Sequence, residues 1–353
     1  MNRIFGCLIL LLFSPVSQSL VILQYHHISD STPKSTSLSP ELFKQHLKYL
    51  KEHDFEVLSL GAVIKSLNLG EKLKDKTVVI TFDDGYRSVY EAAFPLLKKY
   101  QYPFTIFVHT SPIEHQLNQF VSWQNLKEMT ESGASIANHT VHHQHLIKKN
   151  IEDNWLQRKA MITSEILNSQ KVLEQKASNV LKALAYPYGE FDQEAKRLVK
   201  TLGFIGIGQH SGGLSLNSDL LAIPRFPLGG NYGTIEDFAT KVNSLVMPIK
   251  QVSMFDGDNN ELQDHLLDKG VKKPKLEIQL FSGQPVYDIQ CYSSRGNKLV
   301  KIKTENGYQF TPQNELPVGR SRYNCTASSE REGRFYWFSQ PWILADADGS
   351  FYR

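Results

Sequence analysis

The sequence predicts an α/β protein, a distorted (β/α) barrel followed by a small all-β sandwich. Three observations lead to this fold class. From residue 21 to about 227, short apolar runs alternate with longer amphipathic stretches, a pattern typical of β-α units around a parallel sheet or barrel. After residue 243 the helical periodicity disappears. The remainder alternates β-branched and aromatic runs with Gly, Asn and Pro turns, which indicates antiparallel strands.

The first 19 residues have the pattern of a secretory signal peptide. Arg3 is followed by an apolar run over 4–13 and then by the triplet Ser17-Gln18-Ser19. That run is shorter than the ~20 residues of a membrane-spanning helix, so cleavage near Ser19 is favoured over an uncleaved anchor. We therefore expect a secreted or periplasmic protein with no stable membrane span after signal cleavage.

Six apolar runs predict the barrel strands. They cover residues 20–24, 77–82, 104–108, 135–137, 184–186 and 204–207. Helical segments lie between them, and the first has Ser39 as its cap and Pro40 as its first helical residue. Later helices are expected near 88–100, 124–132, 152–175 and 192–202.

A second domain is expected to begin near residue 248, which divides the chain into a signal peptide (1–19), a barrel domain (20–247) and a β domain (248–353). Its predicted strands cover 276–281, 286–292, 299–304 and 334–338. Loss of Cys7 with the signal peptide leaves Cys291 and Cys325, an even count in an oxidising compartment, which predicts one disulfide.

Aromatic residues cluster near the C-terminus, and two interpretations of them remain open. They are Tyr336, Trp337, Phe338 and Trp342. Flat rings suit stacking on sugar faces, but a continuous strand-like run is more often sandwich core, which we favour. The composition, with 41% hydrophobic residues, 21% charged residues and a net charge of +3, argues against disorder and against a nucleic-acid partner.

Two adjacent carboxylates follow the predicted strand 77–82 directly. Asp83 and Asp84 precede Gly85 at the carboxyl end of that strand, where barrel enzymes place their chemistry. Neighbouring side chains on a strand point to opposite faces, so a turn assisted by Gly85 is needed to direct both towards one site. Alone, the peptide could equally be a turn that caps the next helix.

Four histidines within seven residues follow the strand 135–137. Among them, His139 and His143 are four residues apart, a spacing that places two imidazoles on one side of a helical turn. With one carboxylate they make a set suited to zinc or another first-row divalent ion. A solvated histidine-rich loop is the alternative, and the nearby acid pair argues against it.

These peptides resemble the polysaccharide deacetylase family, the carbohydrate esterases that contain the NodB-homology domain. Residues 81–85, Thr-Phe-Asp-Asp-Gly, match its first motif, and residues 139–146 match His-(Ser/Thr)-x-x-His-x-x-Leu. Residues 186–189, Tyr-Pro-Tyr-Gly, match the third. The resemblance covers roughly residues 20–228.

The resemblance implies roles for individual residues. Asp84, His139 and His143 would bind the metal, for which zinc is favoured over cobalt or nickel, while Asp83 stays unligated as the general base. The backbone N–H of Tyr188, after Pro187, would hold the oxyanion, and Arg225 would orient Asp83.

The sequence also departs from the family pattern. The usual Arg before the third motif is absent, and so is the Leu-x-x-His motif that supplies the general acid. His210, which follows the strand 204–207, is our first candidate for that acid, ahead of His26 and His27. The peptide 25–28, Tyr-His-His-Ile, resembles the opening of the subgroup that deacetylates poly-β-1,6-N-acetylglucosamine.

The sequence thus predicts metal-dependent removal of N-acetyl groups from an N-acetylglucosamine polysaccharide, with that exopolysaccharide favoured. Peptidoglycan or chitin-oligomer deacetylation is an alternative within the same enzyme class. A catalytically weak, metal-containing glycan-binding protein is an alternative outside it, although a pure binding module needs no unligated base.

Overall fold

The computed structural model describes residues 20–147, 154–283, 286–305 and 307–351. The predicted signal peptide lies outside these residues. Among those described, no helix is both long and apolar enough to cross a membrane.

The first part of the chain forms a parallel sheet surrounded by helices. Its strands are β1 (Leu20–Tyr25), β2 (His27–Ile28), β3 (Ser37–Leu38), β4 (Glu56–Val57), β5 (Thr77–Phe82), β6 (Phe104–Val108), β7 (Ser135–Asn138), β8 (Val180–Ala185), β9 (Ile205–Ile207) and β10 (Phe226–Pro227). Its helices are α1 (Pro40–Glu52), α2 (Leu60–Asn68), α3 (Phe94–Tyr100), α4 (Thr110–Glu114), α5 (Trp123–Glu131), α6 (Trp155–Lys176), α7 (Gln193–Thr201) and α8 (Ile235–Val242). Single turns of 3₁₀ helix lie at Lys34–Thr36, Pro187–Gly189 and Gly230–Tyr232, and a π-helical turn at Val89–Ala93 precedes α3.

The strand order of the main sheet is β10-β1-β5-β6-β7-β8-β9, with β4 paired to β5. All these pairings are parallel. A parallel bridge between Ile207 and Ile223 brings β9 beside the segment that leads into β10, so the sheet curves nearly closed. The predicted distorted barrel is confirmed, and the carboxyl ends of its strands meet at one edge.

Local sequence explains the elements that position the site. The central strands β1 and β5 are buried along their whole length, as their β-branched runs require. Helix α1 begins as expected: the hydroxyl of Ser39 accepts from the amide of Leu42, and Pro40 is the first helical residue.

The second part contains two sheets that share one core. Its strands are β11 (Leu245–Val246), β12 (Ile249–Phe255), β13 (Leu266–Leu267), β14 (Lys275–Leu280), β15 (Tyr287–Ser293), β16 (Val300–Lys303), β17 (Gly307–Thr311), β18 (Gly319–Ser328) and β19 (Phe335–Leu344). One sheet has the order β11-β19-β18-β15 and the other β12-β14-β17-β16. Buried residues of both sheets pack together, which confirms a small β domain.

The predicted disulfide joins Cys291 of β15 to Cys325 of β18, which face each other in register. Trp342 and Tyr336 are buried in the core between the sheets, so these two rings are core residues rather than a sugar platform. The boundary near residue 248 stays a prediction, and β11, which precedes it, pairs with β19.

Candidate active site

The turn after β5 directs two carboxylates to the edge of the barrel. Asp84 and Gly85 are both in the left-handed region, with φ of 71° and 76°. Strand β5 ends at Phe82, and the amide of Asp83 still donates to the carbonyl oxygen of Tyr25 in β1 before the chain turns. Glycine adopts a positive φ at little cost, so Gly85 makes the turn possible. The same conformation is unfavourable for aspartate, so the backbone strain of the turn is at Asp84.

Asp83 is fully buried and paired with a buried arginine. Its two carboxylate oxygens accept from Nη1 and Nη2 of Arg225 at 2.7 and 2.8 Å. The side-chain amide of Gln24 donates a third hydrogen bond at 2.6 Å. Burial raises the pKa of Asp83, but the charges of Arg225 and His139 outweigh it and leave the pKa below its usual value. Asp83 is therefore an ionised carboxylate held in one orientation.

Asp84, His139 and His143 form a compact cluster beside this pair. Oδ1 of Asp84 lies 3.3 Å from Nε2 of His139 and 3.5 Å from Nε2 of His143. One side-chain donor atom of each residue lies within 4.8 Å of the others, a set that could hold a metal ion. The sequence thus identified three residues that the fold brings together.

The predicted helical turn between the two histidines is wrong. Residues 139–143 form an irregular loop in which Thr140 and His143 are left-handed, with φ of 69° and 57°. The hydroxyl of Thr140 accepts from the amide of His143 at 3.0 Å and closes this tight turn. Hydrogen bonding within the loop, and not helical periodicity, therefore brings the imidazoles of His139 and His143 together.

The hydrogen bonds of His139 indicate that the cluster fits a cation. Its Nδ1 donates to the carbonyl oxygen of Ala185 at 2.7 Å, and because a carbonyl only accepts, Nδ1 carries a proton and a metal ion would have to bind Nε2. The opposite atom, Nε2, is buried and has no hydrogen-bond partner among the described residues. Its lone pair faces Oδ1 of Asp84, an arrangement that a positive ion between them would stabilise.

The second histidine is also in the form that ligates metal. Burial and the neighbouring His139 lower the pKa of His143 to about 3, so its imidazole is neutral at pH 7. Its loop is held from outside by Glu165 of α6. The carboxylate of Glu165 accepts from the amides of Val141 and His142 at 3.1 and 2.8 Å and contacts Nδ1 of His142 at 2.7 Å.

The third motif forms a turn whose aromatic ring reaches the cluster. Tyr188 is left-handed, with φ of 59°, and its ring centroid lies 4.4 Å from that of His143. Gly189 follows at φ 71°, where an added Cβ would approach Cβ of Gln209 to 2.6 Å. Pro187 is buried at the start of the turn. The structure thus brings the Pro187-Tyr188-Gly189 turn to the site.

His26 follows β1 at the edge where the aspartates follow β5. The two strands pair in parallel with Tyr25 opposite Phe82, so His26 comes directly after one strand and Asp83 directly after the other. The next residue, His27, stacks on Tyr86 with centroids 3.6 Å apart. The end of β1 therefore contributes a histidine to the same edge as the carboxylates.

The structure does not bring His210 to this cluster. Its ring lies 6.1 Å from that of Phe191, and burial, with the charge of Arg322 from β18, lowers its pKa to about 3. The loop after β9 faces the β domain instead, where Arg322 donates to the carbonyl oxygen of Gln209 at 3.1 Å. A histidine with so low a pKa is neutral at pH 7 and is poorly suited to donate a proton.

Sequence reasoning missed His109. It follows β6 directly, and its ring centroid lies 5.6 Å from that of His143. Burial and the charge of His139 lower its pKa to about 4. Its position after a predicted strand was the available signal, but it belongs to no recognised motif.

The fold and the site define a barrel hydrolase with a buried carboxylate beside a cluster of two histidines and an aspartate. A model of the polysaccharide deacetylase family matches residues 70–207. A Staphylococcus epidermidis protein named poly-beta-1,6-N-acetyl-D-glucosamine N-deacetylase is 31% identical over 228 residues, 59% of this chain and 78% of the relative. A Staphylococcus aureus protein of the same name is 31% identical over 208 residues, 57% of this chain and 71% of the relative.

Two solved structures extend the similarity. Streptococcus pyogenes deacetylase PplD in complex with acetate is 26% identical with a TM-score of 0.56, covering 65% of this chain and 99% of that one. IcaB from Ammonifex degensii is 26% identical with a TM-score of 0.52, covering 61% and 94%. This chain belongs to the polysaccharide deacetylase family.

Proposed function

We propose that this protein removes N-acetyl groups from poly-β-1,6-N-acetylglucosamine in a metal-dependent hydrolysis. One observation carries the proposal: an ionised, arginine-paired Asp83 lies beside the Asp84, His139 and His143 cluster at the barrel edge. The Staphylococcus relatives named for this reaction support the choice of glycan. The third motif, without a preceding arginine, and the Tyr25-His26 opening resemble the same subgroup.

Asp84, His139 and His143 would hold the divalent ion, for which zinc is the first choice and cobalt or nickel are alternatives. Nitrogen donors from two neutral imidazoles with one carboxylate oxygen suit these metals, and three protein ligands leave room for other ligands. A divalent ion bound there supplies Lewis acidity that polarises an amide carbonyl and acidifies water.

Asp83 acts as the general base and accepts the proton of the attacking water. Arg225 and Gln24 hold both of its oxygens, so the carboxylate has one orientation and stays ionised. The same bonds weaken it as a base, and a divalent ion held by Asp84, His139 and His143 would offset this by making the attacking water more acidic. The N–H of Tyr188, on the turn that starts at Pro187, stabilises the oxyanion.

His26 donates the proton to the departing amine. An amine is a very poor leaving group unless it is protonated, so a donor is required. His26 follows β1 at the edge where Asp83 follows β5, whereas the loop that contains His210 contacts the β domain. The donor thus comes from the end of β1 instead of the late strand that the sequence favoured.

The protein works outside the cytoplasm. The signal-peptide pattern of residues 1–19 and the Cys291–Cys325 disulfide support export, because disulfides persist in oxidising compartments.

Acetate release from defined oligomers tests this function. Purified protein would be given β-1,6- and β-1,4-linked N-acetylglucosamine pentamers and a peptidoglycan fragment, each with and without chelator. We expect acetate mainly from the β-1,6 pentamer, loss of release after chelation, and recovery with zinc. Preference for another glycan would refute the substrate, and binding to a glycan without any acetate release would favour the non-catalytic alternative.

A further inference from the structure

The β domain reaches the rim of the active site through β18. Nη1 of Arg320 donates to the carbonyl oxygen of Tyr188 at 2.9 Å. The guanidinium also lies over the Tyr188 ring, 5.4 Å from its centroid. The turn that brings Tyr188 to the metal-binding cluster is therefore held by a residue more than a hundred positions later in the chain.

A buried carboxylate connects the same arginine to the other side of the turn. Glu190, two residues after Tyr188, has 3% side-chain exposure, and its Oε1 lies 3.5 Å from Nε of Arg320. Its Oε2 lies 2.6 Å from Nδ1 of His145. Burial raises the pKa of Glu190, and the partners that oppose this are His145 and Arg320.

The three side chains form a layered surface next to the cluster. The rings of Tyr188 and His145 are nearly parallel, with centroids 4.1 Å apart and planes 14° apart. The Tyr188 ring also contacts His143, one of the proposed metal ligands. The Arg320 side chain is 54% exposed, so this layer borders solvent beside the reacting centre.

We propose that Arg320 positions the Tyr188 turn and, with Tyr188 and His145, forms a subsite for the sugar that neighbours the one being deacetylated. Planar groups with polar edges suit the alternating apolar and hydroxyl surfaces of a pyranose ring. The guanidinium of Arg320 contacts both the carbonyl oxygen of Tyr188 and the carboxylate of Glu190. A planar guanidinium with several donors fixes such a geometry better than a lysine ammonium does. This inference rests on the proposed function, and it makes the β domain part of the active site.

Kinetics with two substrates tests the subsite. Arg320→Ala would be compared with wild type on the β-1,6 pentamer and on a small aryl acetate ester, which has no second sugar. Loss of a charge-assisted hydrogen bond lowers kcat/KM for the pentamer about tenfold, mostly through KM. The ester has no second sugar but still depends on the Tyr188 N–H, so its kcat/KM should fall less than that for the pentamer and the loss should appear in kcat. Arg331→Ala, which removes another arginine contact between the β domain and the barrel, is the matched control and should behave as wild type.

An equal loss on both substrates, no loss on the pentamer, or the same loss in Arg331→Ala would overturn the subsite. Amide hydrogen exchange of the peptide that spans residues 186–191 provides a readout independent of activity. Exchange should be faster in Arg320→Ala and unchanged in Arg331→Ala, and unchanged exchange in both would overturn the positioning role. If wild-type protein releases acetate from the ester but from no glycan, the proposed function and the subsite fail together while the exchange result still decides the positioning.

Discussion

Buried charges at this site are compensated in pairs. Arg225 has no solvent exposure, and besides Asp83 its guanidinium bonds the hydroxyl of Thr81 and the carbonyl oxygen of Gly208, at 3.2 and 3.0 Å. It also lies 5.2 Å from the centroid of the Phe107 ring. A buried ion pair is stable only when its polar atoms are also hydrogen-bonded, as those of Arg225 are here. The same bonds leave the Asp83 side chain little freedom to rotate. The ionised Asp83 and the charged Arg225 therefore form a pair without net charge, in which the carboxylate has one orientation.

The identity of the proton donor is tested by two histidine variants. His26→Ala should lower turnover by roughly 10²–10⁴-fold and remove the alkaline limb of the pH–rate profile, as loss of a general acid does. His210→Ala should keep both, because its ring lies against Phe191 under the β domain. Metal content, measured by atomic emission, should be unchanged in both variants. Loss of the alkaline limb in His210→Ala instead would restore our original assignment.

At this scale the sequence predicted the carboxylates and both cluster histidines, because their motifs are short and local. The sequence did not predict the surroundings of His210. A residue that follows a barrel strand lies at a known edge of the sheet, but the sequence does not show which other element covers its loop. Strand β9 is last in the sheet order, and its loop is covered by β18. Such a long-range contact has no local signature.

Among the elements, α6 supports the site from behind. Glu165 bonds two successive loop amides, and Asn138 links the end of β7 to the same helix through the carbonyl oxygen of Ile166, at 3.0 Å. A long helix packed along the sheet thereby fixes the loop that contains His143. The helix itself was predictable from its periodicity, but its role required the fold.

Removing this support should weaken metal binding more than it destabilises the protein. Glu165→Ala leaves two loop amides without their acceptor, and outer contacts of this kind typically change metal affinity by about 10–100-fold. Lys171→Ala, at an exposed position on the same helix, is the control. Competition with a fluorescent chelator measures the affinity. Equal affinities in the two variants would show that the loop holds its shape without Glu165.

Several element boundaries were predicted to within a few residues because apolar periodicity is local. Strands β5 and β6 match their predicted ranges, while β8 begins earlier than expected, at Val180. Helix α2 was missed, although it is as long as α5 and α7, which were predicted. The His139–His143 loop was mistaken for a helical turn. Two histidines four residues apart can also converge when the residues in the loop are left-handed, as Thr140 and His143 are.

Across the whole molecule, ion pairs join the β domain to the barrel. Nη1 of Arg331 and Nη2 of Arg334 donate to Asp75 at 2.8 and 3.0 Å. Arg334 also donates to the carbonyl oxygen of Asn243 at 2.8 Å. Burial raises the pKa of Asp75, but its bonds to Arg334 and the charge of Arg331 lower it overall. The two parts are therefore expected to unfold together.

Asp75→Asn should lower the free energy of unfolding by about 1–3 kcal/mol at pH 7, the usual cost of losing charged hydrogen bonds. Because the folded pKa is depressed, this stabilisation is present above the unfolded pKa and is lost as pH falls through the folded pKa. The difference from wild type should thus be constant from pH 7 to 5 and shrink below about pH 4. Urea denaturation measures it, with Asp54→Asn at an exposed position as control. A pH-independent difference would show that the ionised pair is not its source.

The division of labour between the two aspartates is the central claim of this account. It is tested most directly by measuring metal content and acetate release together in Asp83→Asn and His139→Ala. We predict that Asp83→Asn keeps its metal but loses roughly 10²–10⁴-fold in turnover, whereas His139→Ala loses both. An Asp83→Asn protein that is empty of metal, or one that turns over as wild type does, would contradict the account.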